Sequence, residues 1–169
     1  ITVPVGLVAA PPGPLLAFAD TFPIEVHARC GHAAAPHETV DPIVVAAQVV
    51  TNLQQLVSRT IDPLDQGVVS VTRISGGTAK NVIPETVELL GTVRTFRPET
   101  KTALVEGIER VVRGVTEAHG ATWTFQFEDG YPAVVNDPGV AAIVEEAVAT
   151  SEEKAIREVC DEIFRQWSP

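Results

Sequence analysis

The hydrophobic pattern of this chain switches between a period of two and one of about 3.6 residues, and the order of those switches constrains the fold more than any single motif. From Phe22 to Cys30, Ile24, Val26 and Ala28 alternate with Glu25, His27 and Arg29, the pattern of a half-buried strand. Asp41-Pro42 then opens a helix, since the carboxylate can cap and the proline needs no donor at the first position. Ile43, Ala46, Ala47, Val50, Leu53 and Val57 recur at helical spacing through about Arg59, and Asp62-Pro63 closes the segment. Val68–Ser75 and Thr86–Phe96 read as the second and third strands. Pro98-Glu99 starts a second helix with the stripe Leu104, Ile108, Val111, Val112 and Val115, which Gly120 stops. Trp123, Phe125 and Phe127 alternate with Thr122, Thr124, Gln126 and Glu128, a fourth strand with one aromatic face. The order strand, helix, strand, strand, helix, strand predicts an α+β fold, the ferredoxin-like βαββαβ sandwich with a four-stranded antiparallel sheet and two helices on one face. The other face and one edge stay open, and dimerisation through the first helix or an edge strand would cover them.

The flanks differ in composition. Residues 1–20 carry Pro4, Pro11, Pro12, Gly13 and Pro14, which forbid a helix and suit an extended linker with at most a short strand at Val5–Val8. The folded domain is expected over residues 21–131, and 132–169 form a return segment with C-terminal helices. Asp137-Pro138 starts one helix through about Ala149. Thr150-x-x-Glu153 then resembles a capping box ahead of Ile156, Val159, Cys160, Ile163 and Trp167. The chain has no Met and opens on Ile1, so it is expected to be a piece of a longer protein.

Charge and cysteine usage narrow the partners. A net charge of −10 without a Lys/Arg cluster argues against nucleic acid and anionic membrane surfaces. No apolar run approaches the roughly 18 residues that span a bilayer, and no basic leader precedes an apolar segment. Two cysteines, Cys30 and Cys160, show no disulfide or zinc-knuckle spacing, which makes a reducing, cytoplasmic setting the expectation. Small molecules or another protein remain.

Two loops combine small residues with chemistry: Gly31-His32-Ala33-Ala34-Ala35-Pro36-His37 and Gly76-Gly77-Thr78-Ala79-Lys80-Asn81-Val82-Ile83-Pro84. His32 follows a glycine, so its ring has room to project. Its imidazole could donate to a carbonyl or stabilise an oxyanion, or simply bond its own backbone. His37 could join it on a metal, but without a third ligand the spacing fits better a residue that caps or orients the next helix. Cys30 reads as a small buried thiol at a strand end. Asn81 offers a donor and an acceptor to an amide or carboxylate, or else serves as a turn residue in an unusual backbone conformation. Arg94 could fork onto a carboxylate, or pair within the sheet with Glu88 or Glu25. His27, His119 and Lys80 read as surface positions. Nucleophile-elbow, zinc-protease, phosphate-loop and dinucleotide motifs are absent, so these residues alone do not name a reaction.

Four segments in fixed order, Arg29-Cys30-Gly31-His32-Ala33-Ala34-Ala35-Pro36-His37, Asp41-Pro42-Ile43, Gly77–Pro84 and Gly91-Thr92-Val93-Arg94, closely resemble the dimerisation (lid) domain of the zinc-dependent aminoacylase/carboxypeptidase family, the M-twenty peptidases. The amidohydrolase branch, with N-acyl-amino-acid amidohydrolases and hippurate hydrolases, is the most similar. Gly13-Pro14-Leu15 and Tyr131-Pro132-Ala133-Val134-Val135-Asn136 match the segments by which that lid leaves and rejoins its catalytic domain, so 1–20 would be a remnant of the latter. The resemblance implies a homodimer through the lid and a substrate that is an N-acyl amino acid or small peptide. It implies that a histidine matching His32 polarises the scissile carbonyl in the neighbouring subunit, and that residues matching Asn81 and Arg94 contact the substrate. The divalent metal, zinc or else manganese or cobalt, would be held by the catalytic domain, with no metal ligand on this chain. Cys30 stands where that branch carries a glycine, and Ser151–Pro169 matches nothing in the family. The alternative class is a stand-alone, non-catalytic ferredoxin-like module that dimerises or binds a ligand.

Overall fold

Alternating and helical periods become strands and helices in the expected order in the computed structural model, which describes residues 8–150. The expected tail helix lies outside the described residues, as does all but Val8 of the expected strand at Val5–Val8. The chain divides into two units, Ala17–Ala133 and the flanking segments Ile1–Leu16 with Val134–Pro169.

In chain order the strands are β1 (Gly13–Leu16), β2 (Ala19–His27), β3 (Gly31–His32), β4 (Gly67–Gly76), β5 (Val82–Ile83), β6 (Thr86–Thr95), β7 (Thr122–Phe125), β8 (Glu128–Tyr131) and β9 (Val134–Asn136). The helices are α1 (Pro42–Gln55), extended by a wide turn over Leu56–Thr60, α2 (Pro98–Ala118) and α3 (Pro138–Thr150). The main sheet runs β4-β6-β2-β7 with every pair antiparallel, which is the ferredoxin-like order. Phe22, Ile24 and Val26 of β2 and Val87, Leu89 and Val93 of β6 point to one face, where they meet Val45, Ala46, Val49 and Leu53 of α1 and Leu104, Ile108 and Val112 of α2. The Phe22 ring lies against Gly91 on the neighbouring strand, in the space a Cβ would need.

Three local differences from the sequence pattern have physical reasons. The fourth strand is two pieces, because β7 pairs with Ile24–His27 and β8 with Ala19–Thr21 of the same strand. Pro23 lies at the break: its carbonyl accepts from Gln126 N at 3.2 Å, but it has no N–H to return the bond. In α1 the buried stripe is Val45, Ala46, Val49, Leu53 and Leu56, leaving Ile43 and Ala47 exposed. A helix of small aliphatic residues reads as apolar on more than one side, and packing chooses the side. The proline-rich start carries β1, paired with β9 through Gly13↔Asn136, Pro14↔Val135 and Leu16↔Val134.

Asp41 Oδ1 accepts from Ile43 N at 2.9 Å and starts α1. Gly120, with φ of +69°, ends α2 in the left-handed region where glycine is at ease. In the flanking unit Asp137 Oδ1 caps α3 through Gly139 N and Val140 N.

Candidate functional site

The two loops singled out in the sequence form one unit. β2 ends at His27, and Ala28 N donates to Glu85 O at 2.8 Å. Beyond it β3 pairs with β5 through Gly31↔Ile83 and His32↔Val82. Ala33 N then donates to Asn81 O at 3.0 Å, so His32 and Asn81 are held on adjacent segments. Ile83 of this short ladder is buried. Gly31 is required there, because a Cβ would meet Thr39 Cγ2 at 2.5 Å, and Thr39 is fixed by donating Oγ1–H to Pro36 O at 2.9 Å.

His32 is exposed, and its Nδ1 accepts from Ala34 N at 3.1 Å. Its carbonyl accepts from Ala35 N at 2.9 Å, closing a tight turn. The backbone bond anticipated for a loop histidine is therefore present, and it engages Nδ1 rather than Nε2. Asn81 is exposed as well. It lies in a turn, as its alternative reading has it, but without a positive φ, which among the described residues only Gly13, Gly77 and Gly120 have.

Cys30 is exposed: the strand stops three residues earlier, which corrects the buried strand-end thiol. Capping of α1 falls to Asp41, while His37 stands with 78% of its side chain exposed, 3.8 Å from Glu38. Lys80 is exposed. His119 Nε2 meets Gln48 Oε1 at 2.8 Å, and half-buried His27 lies 3.1 Å from Thr86 Oγ1 and 3.3 Å from Glu25.

Arg94 lies elsewhere. Eight residue steps of β6 separate it from Thr86 at the Asn81 end, roughly 26 Å at the rise of an extended strand. It pairs with neither Glu88, which takes Arg73 at 3.3 Å, nor Glu25. Its Nη1 instead donates to Asp20 O at 3.1 Å, Val93 O at 2.9 Å and Thr92 Oγ1. All these bonds use one nitrogen, so the Nε and Nη2 side of the fork has no partner among the described residues.

At that same end lies a cluster the sequence pattern missed. Asp20 is completely buried, and its Oδ1 accepts from Lys101 Nζ at 3.1 Å and Gly130 N at 3.0 Å, while Oδ2 has no partner. Lys101 also reaches Asp129 at 2.5 Å and lies over the rings of Phe18 and Phe127. Burial alone would lower the pKa of Lys101, but hydrogen bonds to Asp129 and Asp20, with their charges, hold it above its ordinary 10.5. The available signal was an aspartate heading an apolar strand, a position a surface carboxylate also takes.

Among the described residues no group of three or more His, Cys, Asp and Glu side chains is placed to hold a metal ion. No helix among them is long and apolar enough to cross a membrane.

Comparison with known proteins agrees on one family. The model of the peptidase dimerisation domain matches residues 19–119. The chain is 50% identical over 124 residues to an N-acyl-L-amino acid amidohydrolase of Geobacillus stearothermophilus, covering 73% of this chain and 34% of that one. It is 41% identical over 147 residues to an N-acetylcysteine deacetylase of Bacillus subtilis, covering 87% and 39%. The crystal structure of the Bacillus subtilis YXEP protein, a dinuclear metal binding peptidase of the M20 family, superposes with a TM-score of 0.67 at 35% identity, over 86% of this chain and 35% of that one. The chain thus spans little more than a third of the length of these relatives.

Proposed function

The chain belongs to the peptidase dimerisation-domain family of the M20 hydrolases, and on that premise we propose that it is the lid and dimerisation domain of a metal-dependent amidohydrolase or peptidase that cleaves the amide of N-acyl amino acids or small peptides. His32 donates from Nε2 to the oxygen of the scissile carbonyl, and does so in the neighbouring subunit. Asn81 and Arg94 hold the substrate, with Arg94 on its carboxylate. The divalent metal belongs to the catalytic part of the enzyme, outside the residues described.

The observation that carries this reading is the ladder joining the His32 and Asn81 loops, on which an exposed His32 has its Nδ1 occupied by a backbone amide, leaving Nε2 as the ring nitrogen that can donate. A donor fixed beforehand on rigid backbone stabilises charge as it develops without reorganising. A general base or nucleophile would call for a carboxylate or thiol directed at the ring, and no ion pair to His32 occurs among the described residues.

The separation along β6 supports the trans arrangement. A substrate the size of an acyl amino acid cannot touch Asn81 and Arg94 of one subunit when roughly 26 Å of strand lies between them. If all three residues serve one substrate, His32 and Asn81 come from one protomer and Arg94 from the other. Two features could serve such a dimer: β4 is a ten-residue edge strand, and Ile43 and Val44 of α1 are exposed.

The test is His32→Ala in the complete enzyme, assayed on hippurate and acetyl amino acids. Loss of one oxyanion donor costs on the order of 10²–10³ in turnover, with KM little changed. Unchanged turnover contradicts the role, and a stable dimer without any amide hydrolysis by the complete protein would favour the stand-alone binding module.

A further inference from the structure

We propose that the backbone amide of Ala34 is the positioning group that presents His32 as an Nε2–H donor, an inference that rests on the reading of His32 as an oxyanion donor. A neutral imidazole carries one N–H, and which nitrogen bears it is set by what the other nitrogen meets. A backbone amide can only donate. Because Ala34 N stands 3.1 Å from Nδ1, that nitrogen must offer its lone pair, and the ring proton sits on Nε2.

Three successive amides divide the work. Ala33 N ties the loop to Asn81 O at 3.0 Å, Ala34 N holds the ring, and Ala35 N closes the turn onto His32 O at 2.9 Å. Aspartate and asparagine commonly bond the amide two residues on in this way; here the imidazole does so and is locked in both tautomer and rotation. The lock matters because the ring is exposed and would otherwise sample several rotamers, whereas a donor works only when aimed at the position the oxyanion will occupy. No side chain supplies the bond, which is why residue types at 33–35 read only as small.

Ring ¹⁵N signals of the uniformly ¹⁵N-labelled chain, recorded where the imidazole is neutral, read the tautomer directly, and a ¹⁵N–¹⁵N coupling across the hydrogen bond reads the contact. The expected result is a single Nε2–H form coupled to Ala34 N, retained in Ala34→Gly. In Ala34→Pro, which has no amide proton, the coupling vanishes and an Nδ1–H population appears. Turnover of the complete enzyme should then fall at least about tenfold relative to Ala34→Gly at similar KM, as expected for a misaimed catalytic group. An Nδ1–H ring or an absent coupling in the unsubstituted chain overturns the proposal without any need for the proline variant. So does Ala34→Pro with the turnover of Ala34→Gly while His32→Ala is impaired. If the coupling is present but His32→Ala itself turns over normally, the oxyanion reading fails and the tautomer assignment stands.

Discussion

The carbonyl of Asn81 accepts from the amide of Ala33 at 3.0 Å, so a loop from the end of the first strand of the sandwich and a loop from the hairpin move as one piece. Catalytic geometry is sensitive at about the 1 Å level, and a two-strand ladder holds side chains to that tolerance better than two independent loops would. The segment that carries His32 is paired with the one that carries buried Ile83.

Gly31 should be sensitive for a steric reason. In Gly31→Ala the new methyl would stand 2.5 Å from Thr39 Cγ2, and overpacking of this kind costs about 1–3 kcal/mol. Thr39→Ser removes that methyl and keeps the hydroxyl that bonds Pro36 O. Urea unfolding should show Gly31→Ala destabilised and the double variant largely restored; equal loss in both would mean the clash is not the cause.

Lys101→Met should destabilise the domain by about 3 kcal/mol, the low end for breaking a buried pair, since Lys101 keeps 18% of its side chain in solvent whereas Asp20 has none. The substitution leaves Asp20 with the Gly130 amide alone. The pH dependence follows from the raised pKa of Lys101. A raised value means the folded state binds the proton more tightly, so the contribution is complete below 10.5 and is lost as pH rises through the folded value. Thermal unfolding of the unsubstituted chain should weaken above about pH 10.5 more steeply than that of Lys101→Met; parallel curves would contradict the pairing.

Sedimentation should find the domain dimeric, and Ile43→Lys with Val44→Lys should make it monomeric without unfolding it, since both side chains are already about half exposed. A two-fold interface meets each substitution twice, and like charges brought together there cost several kcal/mol. A dimer that survives both substitutions would move the interface away from α1.

The order of elements was legible because each element has a strong period: β2, β6 and α2 formed where Ile24/Val26, Leu89/Val93 and Leu104/Ile108/Val112 required. The His32 and Asn81 loops were legible from glycine beside a polar side chain, although not the bond between them, since backbone pairing leaves little trace in residue type. The α1 stripe was legible at Ala46, Leu53, Val50 and Val57 and misplaced only at Ile43 and Ala47, because Ile43 and Val45 are equally apolar and only packing separates them. The Asp20–Lys101 pair was hidden for the opposite reason, as two residues 81 positions apart whose charges each suggest solvent. The interrupted fourth strand was foreshadowed by Pro23, whose missing donor matters only once its partner strand is known.

Mixing subunits tests the central claim most directly. His32→Ala and Arg94→Ala forms of the complete enzyme are each expected to be severely impaired alone. If His32 acts on the substrate that Arg94 of the other protomer holds, a mixed dimer has one centre with both residues intact, and exchanging subunits between the two variants should restore turnover that neither shows separately. If both residues served one centre from one chain, each centre of the mixed dimer would lack one of them. Mixed dimers with no recovery of activity would contradict the account.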